Sequence, residues 1–72
     1  MNLEEMKQEI VEDLEYQLEH KGKPWTSIDF YLNNPFYAAK PVVIRRAIRE
    51  LIQEGTITRQ PVGEVDSLVL QF

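Results

Sequence analysis

Apolar residues return every three or four positions at the start of the chain: Leu3, Met6, Ile10, Leu14 and Leu18, with Val11 beside them. That spacing lays one apolar stripe along a first helix. Asn2 is placed to cap it and Glu5 to return the bond, a capping box with asparagine in the Ser/Thr position. Gly22 suits the position after the last turn, and Pro24 blocks continuation. A turn of about 100° per residue puts Glu5, Glu9, Glu12, Tyr16 and Glu19 opposite the stripe. One face is apolar and the other is strongly negative.

A short extended piece, Pro24-Trp25-Thr26, follows. A second helix is expected from Ile28 to about Leu32, with Thr26 as its cap and Asp29 in the first turn, where the helix dipole favours an acid. Asn33-Asn34-Pro35 ends it, and Phe36-Tyr37-Ala38-Ala39 reads equally as an irregular helical turn or a loop. The third helix is KPVVIRRAIRELIQEG, from Lys40 to Gly55. Pro41 fits its first position, where an N–H has no partner to lose, and Gly55 fits its C′ end. Ile44, Ala47, Ile48, Leu51 and Ile52 make its buried face. Val42, Arg46, Arg49 and Gln53 lie opposite, with Arg45 on one flank.

Beyond Gly55 the period changes from helical to two. Thr56 to Gln60 (TITRQ) alternates and is β-branched, Pro61-Val62-Gly63-Glu64 supplies turn residues, and Ser67 to Phe72 puts Leu68, Leu70 and Phe72 on one face. A two-stranded hairpin is expected. Ile57 meets its apolar face beside the helices, and Arg59 lies further out toward the turn.

Composition sharpens this picture only where charge enters. With 72 residues, 43% hydrophobic and 28% charged, the chain is one small globular domain that buries about 60% of its unfolded surface. The net charge is −4. It is unevenly spread: positions 1–20 carry seven acids and only Lys7, whereas positions 21–72 carry seven bases and five acids. An acidic total argues against indiscriminate nucleic-acid binding but permits one basic face. The absence of cysteine excludes disulfides and thiolate metal sites. An acidic start without a basic n-region, and no long apolar run, lead us to expect a cytoplasmic protein with no membrane partner.

The junction AIRELIQEGTITRQ, Ala47 to Gln60, followed by a turn and SLVLQF, resembles the winged helix-turn-helix superfamily over nearly the whole chain. The resemblance implies an α+β fold of three helices followed by a two-stranded β-hairpin wing, in one domain over 1–72. It implies double-stranded DNA as partner and a small transcriptional regulator as the role, the third helix lying in the major groove. Val42, Arg46, Arg49 and Gln53 would then face the groove, Lys40 and Arg45 would flank it, and Arg59 or Gln60 would sit on the wing. The residue types suit the task. Arginine forks onto guanine or phosphate, glutamine reads adenine, and valine meets a thymine methyl. The junction from Asn33 to Lys40 is longer than the superfamily's usual tight turn, and Glu64 and Asp66 oppose the wing's one base.

Other readings of the same residues stand beside this one. Alone, Arg45, Arg46 and Arg49 make an ordinary solvated helix face, offset by Glu50 and Glu54 with an Arg46–Glu50 pair at i,i+4 spacing. A winged helix can also be a protein-interaction module, and Glu5, Glu9, Glu12, Tyr16 and Glu19 would then meet a basic partner. Glutamates repelling across a two-fold axis favour a monomer, or a weak homodimer strengthened by salt. Trp25 and Phe36 read as core, and Phe36 and Tyr37 alternatively as an interface. His20 reads as a surface residue at a helix end. One histidine and no cysteine offer no metal cluster, no cofactor motif is present, and neither Ser27 nor Ser67 has a base beside it. No enzyme is expected.

Overall fold

The computed structural model describes residues 1–33 and 39–72. Its elements run α1 (Leu3–Lys21), β1 (Trp25–Ser27), α2 (Ile28–Asn33), α3 (Pro41–Gln53), β2 (Ile57–Val62) and β3 (Val65–Leu70). The domain is α+β, three helices against one antiparallel sheet ordered β1-β3-β2.

Local chemistry fixes the element ends. The Glu5 N–H donates to Asn2 Oδ1 at 2.9 Å and the Asn2 N–H to Glu5 Oε1 at 3.3 Å, so both halves of the α1 capping box are made. At the far end the Gly22 N–H reaches the Leu18 carbonyl at 2.9 Å. Pro41 opens α3, and Gly55 closes it at φ 79°, a backbone region costly for any side chain. The Thr56 N–H returns to the Leu51 carbonyl and the Gly55 N–H to the Ile52 carbonyl, both at 3.0 Å. That pair of bonds is a Schellman motif, which satisfies carbonyls the helix would otherwise leave open and turns the chain into β2.

Two expectations about the sheet are corrected. The sheet has three strands, not two, because the extended piece expected at Pro24-Trp25-Thr26 joins the hairpin as a strand, Trp25–Ser27. Trp25, Thr26 and Ser27 pair with Val69, Leu68 and Ser67 of β3. The hairpin is also longer than its turn residues suggested. Pro61 pairs with Asp66 and Val62 with Val65, leaving Gly63 and Glu64 as a two-residue loop. Gly63 has φ 64° and, among the described residues, no residue type but glycine has positive φ, the arrangement of a type II′ turn with glycine first. Pro61 is tolerated because β2 is an edge strand.

The core is one cluster. Met6, Ile10 and Leu14 of α1 meet Ile44, Ala47, Ile48 and Leu51 of α3, closed from below by Ile57, Leu68 and Leu70. Ile28 and Tyr31 of α2 complete it. Burying an aliphatic side chain of this size contributes about 1.5–3 kcal/mol, so this shared interior outweighs any surface contact in holding α3. Tyr31 is fully buried and keeps its hydroxyl satisfied by donating to Asp13 Oδ2 at 2.8 Å, which ties α2 to α1.

Four side chains depart from expectation, and one of them, Phe72, is 90% exposed beyond the end of β3 instead of sharing the apolar face of Leu68 and Leu70. Ile52 is 37% exposed, at the edge of α3 rather than inside. Trp25 pairs with Val69 on the sheet face opposite Leu68 and Leu70, and is half-buried outside the core. Ser27, not Thr26, caps α2, its Oγ accepting from the Phe30 N–H at 3.3 Å; Thr26 lies in β1. The expectations for Phe36, Tyr37 and the helical-turn-or-loop choice before Lys40 fall mainly on residues 34–38, outside the described residues.

Candidate functional site

The charged surface of α3 is divided lengthwise. Glu50 and Glu54 are four positions apart, as are Arg45 and Arg49, so each pair stacks along one side of the helix. The glutamates face α1. There Lys7 donates to Glu50 Oε1 at 3.4 Å and to the carboxylate of Glu54, with Glu4 of its own helix 3.9 Å away. Only 12% of the Lys7 side chain is exposed. The hydrogen bond to Glu54, aided by that to Glu50 and opposed by desolvation, raises the Lys7 pKa above its ordinary value. Arg46 adds to this edge by donating from Nε to Glu50 Oε2 at 3.2 Å.

The arginines face the other way. A cleft of about 480 Å³ opens between α2, α3 and β2. Ile28, Leu32, Ile48 and Ile52 form its apolar part, and Arg45, Arg49, Gln53 and Arg59 its polar part. The side chains of Arg45 and Arg49 make no hydrogen bond or ion pair among the described residues. Arg59 is engaged: its guanidinium forks onto Asp66, with Nη2 2.6 Å and Nε 3.1 Å from the carboxylate oxygens. Arg59 sits opposite Leu68, and Asp66 is two residues along the same face, the diagonal reach of a cross-strand pair. The hydrogen bonds from Arg59 hold the Asp66 carboxyl below the usual carboxylate range, and Asp66 raises the Arg59 pKa in return.

The structure thus brings together four of the eight residues singled out from sequence: Arg45, Arg49, Gln53 and Arg59. Val42 is 67% exposed at the start of α3, and Lys40 is exposed just before it. Arg46 lies toward the glutamate edge. Gln60 belongs to the other face of the hairpin, where its amide donates to Thr58 Oγ1 at 3.0 Å, so it does not join Arg59. The residue that sequence reasoning missed is Lys7. Its signal was present, a single base among seven acids in positions 1–20, but its partners lie 43 and 47 residues away.

On α1, Glu5, Glu12, Tyr16 and Glu19 are exposed and Glu9 is partly covered. The Tyr16 ring rests on that of His20, centroids 4.2 Å apart. Among the described residues no cluster of three His, Asp or Glu side chains could hold a metal ion, and no helix is long and apolar enough to cross a membrane. Compared with known proteins, the chain matches no family model, no curated protein and no solved structure.

Proposed function

We propose that the chain is a winged helix-turn-helix domain that binds double-stranded DNA through α3, in the role of a small transcriptional regulator. The observation that carries this reading is the division of α3: Lys7 draws Glu50 and Glu54 toward α1, and Arg45 and Arg49 remain without a counter-charge among the described residues. A helix that offsets its own charges offers little to a phosphate backbone. Here the offset is confined to one edge.

The element order supports the same reading, helix, strand, two helices and a hairpin. So does the form of α3, whose 13 residues span about 20 Å and fit a major groove about 12 Å wide. Arg49 and Gln53 read base edges, Val42 meets thymine methyls, and Lys40 and Arg45 take flanking phosphates. Arg46 and Arg59 are discounted, because each already spends hydrogen bonds on a carboxylate. Of the acids of α1, Glu4, Glu12 and Glu15 line a groove with Leu51 and Glu54 of α3, so they border the glutamate edge and not the arginine edge that meets the duplex.

Fluorescence anisotropy with a labelled duplex, over a series of salt concentrations, tests this reading. With Lys40, Arg45 and Arg49 as the open cations, log K should fall against log salt with a slope of about −3. A slope near zero, or binding insensitive to Arg49→Ala, would defeat it.

A further inference from the structure

Duplex binding leaves one feature of α3 without a use. Ile52 is 37% exposed and lies beside Ile48 and Leu32 in the cleft, a concavity with an aliphatic floor. A duplex lying along α3 meets the convex outward side chains. Phosphates and base edges gain nothing from isoleucine and leucine set back between α2 and β2. A concave apolar floor with a few converging polar groups is instead the build of a small-ligand site, and about 480 Å³ falls within the usual range of about 300–1,000 Å³.

The polar groups specify the ligand's sign. Arg45 and Arg49 stand one helical turn apart on the cleft side of α3, with no carboxylate bound to either among the described residues. Arg59 arrives already held by Asp66 and adds no free charge. A guanidinium matches a carboxylate in a planar two-bond fork, and the floor rewards an aliphatic body, about fourfold in affinity for each methylene buried.

We propose that the cleft between α2, α3 and β2 binds a small amphipathic carboxylate, its head on Arg45 and Arg49 and its aliphatic body over Leu32, Ile48 and Ile52. Such a ligand excludes duplex DNA, because the same two arginines serve both. The exclusion rests on the DNA reading; the ligand site does not.

Decanoate, kept below its micellar concentration, is the probe, and amide NMR of the whole chain is the readout. Saturable shifts should centre on Leu32, Ile48, Ile52, Arg45 and Arg49. Decanol, with the same body and no charge, should bind about tenfold more weakly, as should decanoate to Arg45→Gln. Ile52→Asn, folded as judged by its amide spectrum, should weaken decanoate about tenfold and leave duplex binding intact, whereas Arg46→Ala should leave decanoate binding intact. Decanoate should also release a bound duplex. Equal binding of decanol, unsaturable shifts, or shifts centred on the outer sheet face around Trp25 would overturn the ligand site. Decanoate in the cleft of a protein that binds no duplex would retain the site while removing both the exclusion and the DNA reading.

Discussion

The two edges of α3 carry the same chemistry in opposite signs and meet different fates. Glu50 and Glu54 stand one turn apart, as do Arg45 and Arg49. The glutamates lean on α1 and find Lys7. The arginines lean over a cleft whose other walls are aliphatic, with an Arg59 already committed to Asp66. A helix's own spacing therefore does not decide whether its charge is available. The neighbouring element does, and here one lysine on α1 converts a helix of mixed charge into one with a single open cationic edge.

The largest expected effect removes what both edges share. Leu51→Ala deletes a buried side chain beneath them and should cost about 2–5 kcal/mol in urea unfolding. For a domain of this size that is a large share of its stability, and both edges should be lost together. A cost near zero would mean that α3 is not seated on this core.

Next, the edges should separate in duplex binding. Arg49→Ala should weaken it by about 1–3 kcal/mol if the side chain forks onto a base. Arg46→Ala, on the glutamate edge, should weaken it less, since part of its charge is already spent on Glu50. Equal losses would erase the distinction between the edges. Lys7→Met sharpens the comparison from the other side. It touches no DNA, yet it frees Glu50 and Glu54 and should lower affinity, with the loss fading as salt rises. It should fall short of the loss from Arg49→Ala.

The smallest effect concerns Asp66. Asp66→Asn releases Arg59 and should steepen the salt slope of duplex binding by about one unit. Acid should do the same thing reversibly. Arg59 holds the Asp66 carboxyl below its ordinary value, so the pair's contribution to folding is present at neutral pH and is lost as pH falls through that depressed value. Urea midpoints should therefore converge between the wild type and Asp66→Asn at the acid end, and differ at neutral pH.

Much of this fold was legible because it is written locally. Caps, glycines and the change from helical to alternating period place α1, α3 and the hairpin within a few residues of one another, and Ile57, Leu68 and Leu70 were readable as core. What escaped is non-local. No spacing rule links Trp25-Thr26-Ser27 to β3, 40 to 44 positions downstream in the register Trp25–Val69, Thr26–Leu68 and Ser27–Ser67, so the extended piece was legible but its place in the sheet was not. The same limit hid Lys7, whose partners are on another helix. Ile52 misled for a related reason. The helical wheel placed it on the buried face, and the positions of α2 and β2 leave it partly uncovered. The cleft that joins Arg45, Arg49, Gln53 and Arg59 is a product of packing, and no stretch of sequence contains it.

The most direct test of the divided helix is an amide and side-chain NMR titration of the chain with a short duplex at low salt. Shifts in Val42, Arg45, Arg49 and Gln53, with the Lys7 ammonium and the Glu12 and Glu19 amides unmoved, are the predicted result. Shifts centred on the acids of α1, or a Lys7 that lets go of Glu50 and Glu54 as the duplex binds, would contradict it.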